Sequence, residues 1–173
     1  VVWPMLRTIP NNTHASLTRR FGFDVADMIT VDGYSLYGCR VREVKLNGVL
    51  TAHMGYGIAR SAHNANALAA RNDIEMTAEY FPSTTQAAVC ERYTIYNVSN
   101  RTVRVEIPQI NPSYTTDATK GVAGSYALSV VSDGSGYYTL EPGDNYTFTV
   151  AVSGRVAGES LASIDVEKEL SAR

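Results

Sequence analysis

Every second residue is apolar from Val103 to Ile107 and again from Tyr146 to Val152, the period of a strand with one buried face. Val103, Val105 and Ile107 share one side of the first run. In the second, Tyr146, Phe148, Val150 and Val152 point inward, and Asn145, Thr147 and Thr149 point outward. Just before the first run, Val89 to Tyr96 is rich in β-branched and aromatic residues. The intervening Asn97-Val98-Ser99-Asn100-Arg101 has turn composition, so a hairpin is expected there. A second hairpin is expected where Tyr137 to Leu140 meets Glu141-Pro142-Gly143-Asp144, because proline presets φ and glycine supplies a positive one.

Earlier strands are expected at 29–31, 41–46, 49–54 and 74–81, and another at 126–131. Asp32-Gly33 and Asn47-Gly48 end apolar runs, and such pairs are the strongest short-range hairpin signals. About nine strands without βαβ alternation predict an all-β chain, an antiparallel β-sandwich of the super-sandwich type. Two segments break the pattern. Ser61 to Arg71 is alanine-rich and favours helix. Glu159 to Arg173 reads as a short C-terminal helix capped by Ser160 or Ser163, with Asp165 and Glu167 in its early turns. Leu161, Ile164 and Leu170 would form its apolar stripe. The expected organisation is a sandwich domain over 1–158 and a linker helix over 159–173.

With 173 residues, 45% of them hydrophobic and 18% charged, the chain can bury one core and is too apolar for a disordered tail. Its 15 basic and 17 acidic residues are scattered, so no basic stripe is offered to nucleic acid. No apolar run approaches the ~20 residues that span a bilayer. Val1-Val2-Trp3-Pro4 is not the charged-then-apolar opening of a signal peptide, so any signal is expected to have been removed.

Asn-X-Ser/Thr acceptors for N-glycosylation occur at Asn11, Asn97, Asn100 and Asn145, each beside a turn or a proline, where a glycan could project. Pro112 blocks a further triplet at Asn111. Cys39 and Cys90 are an even pair far apart in sequence, expected to join as a disulfide in an oxidising compartment. The other reading is two buried thiols acting as small hydrophobes. Together these features predict a glycoprotein of the secretory pathway or the extracellular space.

Catalytic motifs are scarce. There is no Gly-X-Ser-X-Gly elbow, and His14, His53 and His63 fall on no ligand spacing, so neither metal nor cofactor is expected. A glycosidase needs two carboxyl groups opposed across the bond it cleaves. Asp73, Glu75, Glu79 and Glu91 are candidates, but residues two apart on a strand share a face. Glu75 and Glu79 therefore read as a salt-bridged strand surface. Asp133-Gly134-Ser135-Gly136 reads as a turn, since no helix follows to make a phosphate cradle. Of eleven tyrosines, Tyr34, Tyr37, Tyr56, Tyr137 and Tyr138 are candidates for stacking on sugar rings, against ordinary packing within a sheet.

The run Ile74-Glu75-Met76-Thr77-Ala78-Glu79-Tyr80-Phe81-Pro82-Ser83, followed by Cys90-Glu91-Arg92-Tyr93-Thr94-Ile95-Tyr96-Asn97-Val98-Ser99-Asn100, resembles the N-terminal β-sandwich domain of secreted six-hairpin glycosidase-like proteins. The likeness continues through Leu140-Glu141-Pro142-Gly143 and Val152-Ser153-Gly154-Arg155 to the acidic helix at Asp165, and its motifs are structural. It implies a sandwich that packs against a catalytic α/α toroid, with the exit helix linking the two. The acid and base carboxylates of that family belong to the toroid, which would begin where this chain stops, so no catalytic residue is carried over.

Three functions follow as expectations. The first is a non-catalytic sandwich domain of a secreted, glycoside hydrolase-like protein, with the C-terminal stripe uncovered and the toroid or a neighbouring subunit as partner. The second is an extracellular structural or adhesion module that self-assembles through sheet edges or a donated arm at 1–10. The third is a free carbohydrate-binding module that grips polysaccharide through tyrosine.

Overall fold

The computed structural model describes residues 2–4, 16–18, 22, 24–58, 72–121, 124–160 and 163–173. Asn11, His14, His63, Leu161 and the expected helix at 61–71 lie outside the described residues. Strands β1 (Val2–Pro4) and β2 (Ser16–Thr18) pair with each other. The donated arm expected at 1–10 is thus described only at Val2–Pro4, where it pairs within its own chain.

The main sheet contains β3 (Thr30–Val31), β4 (Tyr34–Leu46), β5 (Leu50–Ile58), β6 (Ile74–Pro82), β7 (Ala88–Asn97), β8 (Val103–Ile107), β9 (Ser113–Thr115), β10 (Tyr126–Asp133), β11 (Gly136–Leu140) and β12 (Asn145–Val156). Its ten strands run in the order β11-β8-β3-β4-β5-β6-β7-β12-β10-β9, each antiparallel to its neighbours. With two short helices, α1 (Val25–Met28) and α2 (Val166–Ser171), the described chain is all-β with a C-terminal helix. The main sheet is one continuous sheet that curls on itself and brings distant strands to a shared core. Val103, Val105, Ile107 and Leu140, from one end of the strand order, share a buried cluster with Met76, Ile95, Phe148 and Val150 from further along it.

Asp32-Gly33 and Asn47-Gly48 do close hairpins. Asp32 (φ 54°) and Gly33 (φ 79°) turn β3 into β4, with Val31 opposite Tyr34, and Gly48 (φ 74°) turns β4 into β5. Those positive φ values are the reason glycine stands at 33 and 48.

The two other hairpins are not formed. β7 lies between β6 and β12, while β8 pairs with β3 and β11, so 97–101 carries the chain from one layer to the other. Glu141 to Asp144 makes the return crossing, because β11 pairs with β8 and β12 with β7 and β10. Val103, Val105, Ile107 and Leu140 are at most 4% exposed, and burying them requires the opposite layer above them. Alternation fixes the face a residue occupies, and leaves open whether its neighbour lies beside it or across the core.

The helix start also differs. Asp165 caps α2 by accepting from Lys168 N at 3.0 Å, in place of Ser160 or Ser163. The helix lies on the convex face, where Val166 closes a second buried cluster with Phe81, Cys90 and Ala151. Ile164 and Leu170 pack against that cluster, so the stripe expected to be uncovered is covered at both described positions. The cause is local, since Phe81, Cys90 and Ala151 put apolar side chains on a face that is otherwise polar.

Candidate functional site

Antiparallel register places directly opposed residues on one face. Leu46, Leu50, Tyr80, Glu91 and Val150 therefore form one row across β4, β5, β6, β7 and β12 on the concave side. Val44, Ala52, Ala78, Tyr93 and Phe148 form the next row. Toward β7 and β12 both rows enter the core. Toward β4 they are uncovered: Val44 is 59% exposed, Leu46 80% and Leu50 40%, and Val41, opposite Met54 in the row beyond, is 61% exposed. Register shifts at 37–40 and 41–43 bend β4 there. The outcome is a band of apolar side chains on the core face of a hairpin that reaches past the core.

Where the rows meet the core, Asp24, Val25, Tyr80, Glu91, Tyr93 and Val150 line a cleft of about 290 Å³. Burial pushes the Glu91 carboxyl above its ordinary range; the hydrogen bond from the Tyr93 hydroxyl, at 2.5 Å, pulls the other way, and Asp24 adds to the rise. Asp24 is already engaged as the cap of α1, accepting from Ala26 N at 2.9 Å. Tyr93 stacks on Phe148 (centroids 5.1 Å apart) and meets Tyr80 edge-on at 6.0 Å. The cleft thus sets the Glu91 carboxyl beside two aromatic rings where the exposed band meets the core.

The other carboxylates behave as a strand surface. Glu75 pairs with Arg42 at 3.2 Å, and Glu79 with Arg92 at 2.8 Å, while Arg92 also holds Glu167 of α2. Asp73 is buried. His53 lies 3.0 Å from the Thr77 hydroxyl and 3.9 Å from Glu43. Among the described residues no group of three or more His, Cys, Asp or Glu could hold a metal ion, and no helix is long and apolar enough to cross a membrane.

The acceptor asparagines differ sharply. Asn100 and Asn145 are exposed. Asn97 is 0% exposed, and its Nδ2, the atom a glycan would occupy, donates to Arg101 O at 2.7 Å and Leu140 O at 3.0 Å. Ser99 donates to Asn97 Oδ1 from its N–H at 3.1 Å and its hydroxyl at 2.6 Å. Asn97 and Ser99 thus form an Asx turn that closes the crossing from β7 to β8. An Asn with Ser two residues on, at the end of a strand, is a sequence signal for either such a turn or a glycan acceptor.

Cys39 and Cys90 are separate thiols: Cys39 is exposed on β4 and Cys90 buried on β7, with β5 and β6 between. Three strand spacings come to about 14 Å, twice what a disulfide spans. Burial pushes the Cys90 thiol up. Two of the tyrosines considered for sugar stacking serve the fold: Tyr56 is buried, and Tyr138 stacks on Tyr146 at 3.5 Å. Tyr34, Tyr37 and Tyr137 are exposed but form no shared platform. Tyr137 carries Arg104 over its ring at 4.6 Å and shares a row with Ser35, three strand spacings or about 14 Å away; Tyr37 lies on that face beyond Ser35, while Tyr34 faces the other way.

One anchoring residue was not legible in advance. The Glu169 carboxylate of α2 accepts from Ser83 Oγ at 2.9 Å, Thr84 N at 2.7 Å, Thr84 Oγ1 at 3.0 Å and Thr85 Oγ1. These bonds, the Thr85 hydroxyl foremost, pull its pKa down to about 2. The hydroxyl run Ser83-Thr84-Thr85 was the available signal.

Comparison with protein-family models, curated proteins and solved structures finds no match to this chain.

Proposed function

We propose that the chain is a non-catalytic β-sandwich domain of a secreted, carbohydrate-active protein, its curled sheet supporting a catalytic domain of the α/α-toroid type. The observation that carries this is the band Val41, Val44, Leu46 and Leu50, exposed on the face that elsewhere forms the core. Contiguous apolar surface of that kind marks a place where another polypeptide sits. The C-terminal stripe no longer contributes, since Ile164 and Leu170 are packed on their own sheet. Support for a partner passes from the helix to the β4–β5 hairpin.

Two features favour this over self-assembly through sheet edges or an independent sugar-binding role. The sheet ends in β9 and β11, three and five residues long, and short edges are poor templates for strand addition. The exposed tyrosines are dispersed. Reducing-end release from a panel of polysaccharides by the purified domain is expected to stay at the enzyme-free rate; turnover that disappears in Glu91→Gln would overturn the assignment.

A further inference from the structure

We infer that, of the neighbouring acceptors at one end of the sheet, Asn100 and Asn145 carry N-glycans while Asn97 stays bare. The inference rests on the secretory reading above and adds to it which residues are modified. N-glycosylation breaks the C1–O bond between an oligosaccharide and its lipid diphosphate, forms a C1–Nδ2 bond, releases one amide proton and lets the lipid diphosphate leave. At Asn97 both Nδ2 hydrogens are committed to the carbonyls of Arg101 and Leu140, and the residue has no exposed surface. A sugar there would replace one of those hydrogens and occupy space filled by the turn. Chains modified at Asn97 cannot close the crossing from β7 to β8.

Asn100 has neither restraint: it is exposed three residues further along the same turn. Asn145 is exposed as the first residue of β12, opposite Tyr96. Both sites belong to one pole of the sheet. The rows of Leu46 and Val44 cross β7 at Glu91 and Tyr93, toward the other pole, while Val41 lies in the row of Ile95 and Tyr146, beside Asn145 along β12 but four strand spacings, about 19 Å, across the sheet. Glycans at Asn100 and Asn145 therefore shield the end where the chain changes layers and leave the β4–β5 band open to a partner.

The test is to secrete the domain behind a grafted signal peptide, with a control acceptor sequence on a C-terminal tag, from a glycosylating host. Enzymatic deglycosylation in ¹⁸O water marks each formerly occupied asparagine. Label is expected at Asn100 and Asn145 and absent from Asn97; Thr102→Ala should remove one glycan and Ser99→Ala none. Label at Asn97 in folded, secreted protein overturns the inference, as does its absence from either Asn100 or Asn145 while the control is occupied. Because the grafted signal supplies translocation, these outcomes are independent of whether the native chain is secreted. That point is read from glycans on the protein from its own source.

Discussion

Asn97→Ala isolates the turn on which the layered sheet depends. The backbone bonds at this position, Asn97 N to Asp144 O and Gly143 N to Asn97 O, both 2.9 Å, survive the substitution. What is lost is the side chain, and with it two hydrogen bonds from Nδ2, to Arg101 O and to Leu140 O in a buried setting. Neither carbonyl is orphaned: Leu140 stays paired opposite Val103 in the β8–β11 ladder, and Arg101 O keeps the Ser99 hydroxyl 3.1 Å away. A buried hydrogen bond of this kind contributes about 0.5–1.5 kcal/mol net. The two together come to about 2 kcal/mol, a sizeable part of the ~5–15 kcal/mol that holds a domain together. For a chain of this length it corresponds to roughly 4–8 °C in Tm. Thermal and urea unfolding of unglycosylated protein, followed by circular dichroism, is the assay, with Asn100→Ala as the exposed control expected within about 0.5 kcal/mol of the parent. A fall in Tm below about 2 °C for Asn97→Ala, or an equal fall for the control, would refute the keystone role.

Other outcomes follow from the same geometry. The pair Val44→Ser and Leu46→Lys should leave domain stability within about 0.5 kcal/mol while reducing binding of an apolar dye; a loss above ~1.5 kcal/mol would mean the band is already covered. Glu169 is held ionised in the fold, so its contribution is present above about pH 4.5 and is lost as pH falls toward about 2. Hydrogen exchange in α2 should accelerate over that acid range, and Glu169→Gln should flatten the dependence. A thiol reagent should modify one cysteine in the native protein, the exposed Cys39, and the second only on unfolding; two protected thiols would contradict the separation of β4 and β7.

Much of the fold was legible because turn chemistry and alternation are local. Asp32-Gly33 and Asn47-Gly48 announced their hairpins, and Val103 to Ile107 announced its buried face. Partner choice was not local: β8 could satisfy that face beside β7 or across from it, and only the pooled burial of Val103, Ile107, Leu140 and Phe148 decides. The long run of β4 back to Tyr34 was missed because register shifts near Gly38 and Cys39 break the two-residue period. The structural role of Asn97 was not legible because an Asx turn and a glycan acceptor use the same residues. Cys39 and Cys90 matched in number but not in strand position.

The central claim, that this domain supports a catalytic partner in a longer secreted polypeptide, is tested most directly by the intact mass of the deglycosylated native protein. A polypeptide several times the 18.8 kDa of these 173 residues, with the β4–β5 band protected in it and exposed in the isolated domain, is the result predicted. A native mass of 18.8 kDa with the band freely accessible would contradict it.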